Sequence, residues 1–294
     1  MSLRFPVRVW WAIIGLAAAL AVGGCSALRL AYGQAPNLAF WWLDAYVDFD
    51  GAQSTLVRDG IDRWFAWHRR TQLADYVQLL DRAAGEAAAD TSAEQLCAWW
   101  PTLVQRRDTA LRQMAEPAAA LALTLTPDQV RHVERHMRRK NDDARDDYLP
   151  DDPQDRERAS FKRALERLES LYGPLDAGQR EALAAGLKRT PWNPSTHLAD
   201  RERRQQALLS LVRRWQGSRP AADTATREMQ ALLLGLYRPQ DDAAQRYQRE
   251  VLAHNCTLAA QMHNQATPAQ RRHLVDKLRG WAADLRAVLA ASAG

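Results

Sequence analysis

An all-α fold, a multi-helix bundle of about ten helices with room for two lobes, is predicted by three features of the 294-residue chain. Ala, Leu, Arg, Gln and Glu dominate it, and all of them favour helix. A helix-start signature recurs along it: a Ser, Thr or Asp followed three residues later by Gln. Sustained alternation of apolar and polar residues, the mark of a half-buried strand, is absent, and isoleucine is nearly so. The chain is 47% hydrophobic and 26% charged, an ordinary globular balance that excludes a mostly disordered protein. Its 14 Gly and 13 Pro exclude a collagen-like or linker-dominated architecture. A net charge of +5, from 40 basic and 35 acidic residues of mixed placement, is too small to imply nucleic acid.

The elements begin with a leader. Arg4 and Arg8 form a short basic region, and Val9 to Val22 is apolar and uncharged. That run is shorter than the roughly 20 residues of a membrane span and suits the core of a signal peptide. It ends in Val22-Gly23-Gly24-Cys25, which resembles the cleavage box of bacterial lipoproteins, with Val22 where Leu is commonest. The resemblance implies a signal peptide over 1–24, cleavage before Cys25, and palmitate-like acyl chains on the Cys25 sulfur and amino group. Ser26, rather than Asp, then points to the periplasmic face of the outer membrane. Two or three acyl chains hold a protein stably, since each buried CH₂ contributes roughly 0.8 kcal/mol.

A lipidated tether over 25–36 and a helical domain over 37–294 are expected next. Helices are predicted near 37–48, 52–87 (with a break), 93–122, 127–148, 154–172, 177–189, 195–216, 222–236, 242–265 and 268–290. Their starts are the capping boxes Asp50…Gln53, Ser92…Gln95, Thr126…Gln129, Asp176…Gln179, Asp242…Gln245 and Thr267…Gln270. Each is worth around 1 kcal/mol. Pro127 and Pro268 fall at the first helical position, where a missing N–H costs nothing. Tyr148-Leu149-Pro150, Tyr172-Gly173-Pro174, Thr190-Pro191-Trp192-Asn193-Pro194, Gln216 to Pro220 and Tyr237-Arg238-Pro239 mark the ends. The caps stand at unequal intervals, which does not support a strict solenoid repeat.

With Cys25 acylated, Cys97 and Cys256 are left as a pair in an oxidising compartment. They form either a disulfide or two buried thiols. Metal chemistry finds little support. His132 and His136 lie one helical turn apart, but two ligands make no site and Arg131, Arg135, Arg138 and Arg139 surround them. Asp142, Asp143, Asp146 and Asp147 lack calcium-loop spacing. Asp44 and Asp48 read as structural, paired with Arg58 or Arg63. Phosphate-loop, nucleophile-elbow and kinase motifs are absent, so no catalytic residue and no cofactor is expected. Trp41, Trp42, Trp64 and Trp67 form an aromatic supply that serves either the core or a recognition surface; for Trp41 and Trp42 a membrane-interface contact is a further reading.

The leader box, Tyr32, Trp41-Trp42-Leu43-Asp44-Ala45-Tyr46-Val47-Asp48, Gln53, Trp67-His68-Arg69, Leu125-Thr126-Pro127-Asp128-Gln129, Asn141 and His197-Leu198-x-x-Arg201 together resemble a family of helical, mostly proteobacterial lipoproteins of unknown function. The resemblance implies export, lipid anchoring and an α-helical fold, and it carries no catalytic residue. Leu125-Thr126-Pro127-Asp128-Gln129 is also similar to the Leu-Thr-x-x-Gln helix starts of small periplasmic stress chaperones. Leu175-Asp176-Ala177-Gly178-Gln179 and Ala266-Thr267-Pro268-Ala269-Gln270 each depart from it by one residue. The functional expectation is a lipid-anchored, non-enzymatic binding or scaffold protein whose partners are the membrane and an envelope protein. A chaperone-like binder of unfolded clients and a cell-wall or lipid-modifying enzyme are the alternatives.

Overall fold

The computed structural model describes residues 27–291, so the leader and Cys25 lie outside the described residues. Among these, every regular element is an α-helix. They are α1 (Ala27–Val47), α2 (Gly51–Thr71), α3 (Leu73–Glu86), α4 (Ala93–Cys97), α5 (Trp99–Thr124) and α6 (Pro127–Tyr148). There follow α7 (Pro153–Tyr172), α8 (Ala177–Lys188), α9 (Pro194–Ser218), α10 (Ala222–Gly235), α11 (Asp242–Asn264) and α12 (Pro268–Ala290).

Three local expectations are corrected. Residues from Ala27 to Pro36 are helical rather than a tether, and Pro36 sits inside α1. Leu28 and Tyr32 pack against Leu73, Val77, Leu285 and Val288, so burial outweighs the helix-breaking cost of the proline. The piece 52–87 breaks as expected, at Gln72, but 93–122 also breaks, at Ala98, giving α4–α5 beside α2–α3. The cap of α11 is Asp241, which accepts from the Ala244 N–H, and not Asp242. The other five boxes form as read, with both reciprocal hydrogen bonds in place.

The twelve helices are two interlocked sets of six. Helices α1–α6 correspond in order to α7–α12, and the main pairings survive the exchange. α1 packs on α2 and α6, as α7 packs on α8 and α12; α2 packs on α5, as α8 packs on α11. Between the sets, α3 lies along α12 as α9 lies along α6, and α5 along α10 as α11 along α4. The residues keep the same register. Tyr46, Asp50, Gln53, Val57 and Gly60 correspond to Tyr172, Asp176, Gln179, Leu183 and Gly186 at a constant offset. Ala115, Ala119, Ala122, Thr126, Pro127 and Gln129 correspond at a second constant offset to Cys256, Ala260, His263, Thr267, Pro268 and Gln270. Gly60 and Gly186 are where α2 meets α5 and α8 meets α11. A Cβ there would stand 2.9 Å from the Pro117 Cβ, an approach that favours glycine, and 2.3 Å from a Leu258 methyl, which would have to shift. The sets therefore join near 149–152 but form a single interleaved bundle, not two lobes.

Each set is closed by a pair of facing capping boxes. Gln53 Nε2 donates to Gln129 Oε1 (3.0 Å) and to the Thr124 carbonyl (3.1 Å), while Gln129 Nε2 donates to the Asp48 carbonyl (3.0 Å). In the second set Gln179 Nε2 donates to Gln270 Oε1 (2.7 Å) and to the Gln265 carbonyl (3.0 Å), and Gln270 Nε2 donates to the Pro174 carbonyl (2.8 Å). Gln53 and Gln179 are both buried. Each glutamine therefore uses its oxygen to cap its own helix and its amide N–H groups to close the carbonyls of the other turn.

Three apolar clusters surround this frame. The largest joins Val47, Ala119, Ala122, Val130, Val133, Leu209, Val212, Trp215, Ala225 and Met229 across α1, α5, α6, α9 and α10. A second runs along α3 and α12, and a third joins α8 and α11 under α7.

Candidate binding groove

The two sets depart from their correspondence at one junction. A single residue, Ala98, links α4 to α5, whereas Leu236 to Asp241 link α10 to α11. The longer connection leaves an opening of about 690 Å³ between α5, α9 and α11, within the range of small-ligand sites.

Its lining comes from five places. Helix α5 presents Trp100 and Arg107, and the turn before α9 presents Trp192. Helix α9 adds His197, Asp200, Arg203 and Arg204, one helical turn after another on the same face. The α10–α11 connection adds Tyr237 and Arg238, and α11 adds Tyr247, Val251 and Leu252. The guanidinium carbons of Arg107 and Arg204 lie 5.2 and 5.1 Å from the centre of the Tyr237 ring, in cation–π contact. Arg203 and Arg204 share the single carboxylate of Asp200, the latter at 3.1 Å. Arg238 has no ionic partner among the described residues. Asp241 is occupied in capping α11. The cations of the groove thus exceed its available carboxylates, and Trp100 and Tyr237 are exposed apolar surface beside them.

His197 meets the rings of Tyr148 and Trp192 rather than a carboxylate. Burial, with Arg204 beside it, pushes its imidazole below the usual histidine value, so it is neutral at neutral pH. Tyr247 accepts the Asn193 N–H at 2.9 Å and fixes the turn that carries Trp192.

The structure joins Cys97 on α4 to Cys256 on α11, with Cα atoms 5.7 Å apart. Leu252 and Asn255 on the same face of α11 line the groove, so the disulfide clamps its wall from behind. At the position corresponding to Cys256 the first set has Ala115, fully buried on α5.

The other singled-out residues fall into place as follows. Trp41 and Trp42 stand 60% and 61% exposed on α1. Trp64 and Trp67 are half-buried: Trp64 stacks on His68 at 4.8 Å and donates to the Ala110 carbonyl, which ties α2 to α5. The four tryptophans therefore do not act as one surface. Asp44 accepts the Phe49 N–H instead of pairing with an arginine; Arg58 covers the Phe40 ring and Arg63 pairs with Glu116. His136 stacks on Tyr46 with ring centres 4.1 Å apart. Among the described residues no group of three or more His, Cys, Asp or Glu side chains gathers as for a metal. A second opening, of about 580 Å³ between α6 and α9, is floored by Asn141, which donates to Gln205 and accepts from Arg201 (2.7 and 2.8 Å).

Sequence reasoning missed the groove because its residues belong to elements distant in the chain. Trp192 and Tyr237 were legible only as parts of proline turns.

Fold and groove together define an internally duplicated all-α protein with an arginine- and aromatic-lined opening. The chain belongs to DUF6279, a family of unknown function, whose profile matches residues 45–238. Among the curated proteins and among the solved structures nothing matches it. Among the described residues no helix is long and apolar enough to cross a membrane.

Proposed function

We propose that the chain is a lipid-anchored, non-enzymatic binding protein of the bacterial envelope, held through acylated Cys25 at the periplasmic face of the outer membrane. Its groove takes an anionic ligand that carries an apolar or ring-shaped part. The observation that carries the binding reading is the stacking of Arg107 and Arg204 on Tyr237, beside an unpaired Arg238. Asp108 holds the Nε and Nη2 of Arg107 and Asp200 holds the Nη1 of Arg204, so Arg238 and the remaining N–H groups of the stacked pair are what a carboxylate or phosphate would meet. The tryptophan and tyrosine rings supply the apolar contact. The anchor rests on the leader pattern alone. A chaperone-like reading has less support, since the opening is ringed by arginines.

The anionic aromatic probe 8-anilinonaphthalene-1-sulfonate tests the groove. The full chain is expected to show a saturable site that weakens at least tenfold in Arg107→Ala/Arg204→Ala and in Tyr237→Ala. Unchanged binding in both variants would remove the groove as a ligand site. Failure of radiolabelled palmitate to enter the exported protein, or full envelope retention of Cys25→Ala, would remove the anchor.

A further inference from the structure

Helices α1 and α7 occupy corresponding places in the two sets, yet their outer faces differ in kind. Every exposed residue of α7 after Pro153 is polar or charged: Gln154, Asp155, Glu157, Arg158, Lys162, Glu166, Arg167 and Ser170. Several are tied into ion pairs along the helix. On α1 the exposed face holds Leu30 (68%), Leu38 (54%), Trp41 and Trp42, with Ala31, Gln34, Asn37 and Ala45 between them. The only charges in α1 are Arg29 and Asp44, and Asp44 is engaged by the Phe49 N–H. A row of large apolar side chains about 18 Å long, as the rise of 1.5 Å per residue gives from Leu30 to Trp42, therefore faces outward with nothing on it. Four large apolar side chains left on one helix contrast with none on its counterpart, so the bare face belongs to α1 and not to the fold.

Two observations identify what covers this face. First, α1 begins at Ala27, two residues after Cys25. Two residues span at most about 7 Å, so anything anchored at Cys25 is held against the start of the helix. Second, basic residues border the aromatic end. Trp42 contacts Tyr46 (4.8 Å between ring centres), Tyr46 contacts His136, and Arg139 reaches His136 Nδ1 at 3.4 Å. Arg139 has no ionic partner among the described residues, nor have Arg135 and Arg138, which with it line the opening between α6 and α9. Apolar and tryptophan side chains on one helix, with unpaired arginines on the helix packed against it, match the boundary of a bilayer that contains anionic headgroups.

We propose that α1 lies in the plane of an anionic bilayer surface, with Leu30, Leu38, Trp41 and Trp42 at the headgroup boundary and the α6 arginines on the phosphates. This rests in part on the anchor reading at Cys25, which would hold the first turn of α1 at the surface. The helix then fixes the orientation of the domain, which an acyl chain on a flexible link would leave free.

The test uses the full chain reconstituted into vesicles of phosphatidylethanolamine and phosphatidylglycerol. Spin labels go on single cysteines at Leu38→Cys and Trp41→Cys, with Glu166→Cys on α7 as the reference. All three sites are exposed, so labelling leaves the packing intact, which circular dichroism checks. Labels at 38 and 41 are expected to lose accessibility to a water-soluble nickel chelate by severalfold on reconstitution, and the label at 166 to keep it. In Arg135→Glu/Arg139→Glu the label at 41 is expected to regain at least half of the lost accessibility. Labels at 38 and 41 as open to nickel as that at 166 after reconstitution would overturn the proposal, and so would labels at 38 and 41 already shielded before vesicles are added, which is the mark of a second copy on the face. The mass of the N-terminal peptide separates the two readings. An acylated chain whose labels stay in water sinks the docking of α1 alone; an unacylated chain whose labels still enter the bilayer sinks the anchor alone.

Discussion

A capping-box glutamine and a capping-box glutamate are ordinarily equivalent, because both offer an oxygen to the cap N–H. In this protein they are not. Gln95 uses only its oxygen, toward the Ser92 N–H and the Thr91 hydroxyl. Gln53 also donates, to the Thr124 carbonyl and to Gln129 Oε1, from a buried position. Gln53→Glu removes both donors and turns a carboxylate oxygen toward two acceptors at a buried position. Two net hydrogen bonds at about 1 kcal/mol each, plus about 1 to 2 for the acceptors left facing one another, are offset by under 1 from a negative charge at a helix N-terminus. The variant should lose about 2 to 3 kcal/mol, while Gln95→Glu should change stability by no more than a few tenths. Gln179→Glu should behave like Gln53→Glu, because Gln179 donates to Gln265 and Gln270 in the same way. Urea unfolding of the full chain, followed by circular dichroism and tryptophan emission, measures all three. Equal midpoints for Gln53→Glu and Gln95→Glu, within the error of the fit, would refute the claim that the paired boxes hold the sets closed.

The remaining expectations concern the clamp, the close approaches and the histidines. The bond between Cys97 and Cys256 spans a separation of 159 residues, for which chain entropy gives about 5 kcal/mol as an upper value. Cys97→Ala/Cys256→Ala should therefore lower the urea midpoint, and two titratable thiols in the exported protein would show that no such bond forms. Gly60→Ala and Gly186→Ala should each cost about 1 to 3 kcal/mol by overpacking, although alanine is the better helix former by about 1. A stabilised variant in a thermal melt would contradict the close approach. Burial holds His68 below the usual histidine value, with the Tyr32 hydroxyl hydrogen-bonded to its Nδ1 at 2.9 Å and the rings of Trp64 and Tyr76 around it. His197 is lowered as well. A depressed histidine binds fewer protons folded than unfolded, so its stability contribution is complete above the unfolded value of 6.5 and declines as pH falls below it. The melting temperature should therefore drop between pH 7 and pH 5, and His68→Gln should flatten that slope; a slope unchanged by the substitution would assign the acid sensitivity elsewhere.

What the sequence disclosed follows from how local each signal is. Helix class, five caps and most ends were legible because a cap is settled within four residues. The segment 27–36 was misread because Pro36 is a local breaker, whereas Leu28 and Tyr32 are partly buried against α3 and α12, far along the chain. The duplication was hidden for a related reason. Successive caps fall at irregular intervals, and only the pairing of Asp50 with Asp176 and of Thr126 with Thr267 brings out the constant offsets. Those pairs become evident once the glutamines are seen to face each other. The groove was the least legible part, since Arg107, Arg204 and Tyr237 come together only through the crossing of α5, α9 and the α10–α11 connection.

The correspondence between the sets also locates what the protein uses. A duplicated bundle needs its shared features for folding: the facing glutamines, the glycine crossings and the buried small residues of α5 and α11. Features found in one set alone have no such obligation. There are three of them. A six-residue connection opens the groove where the other set has Ala98, a disulfide clamps the wall of that groove where the other set has Ala115 in place of Cys256, and α1 is bare where α7 is charged. Opening one junction removes packing from α11, and a covalent link from α4 to the same helix compensates for it. The asymmetries therefore amount to one working groove with its support and one apolar helix face. Loss of the disulfide should then weaken probe binding in the groove more than it changes the exposure of α1, because only α11 is shared between bond and site.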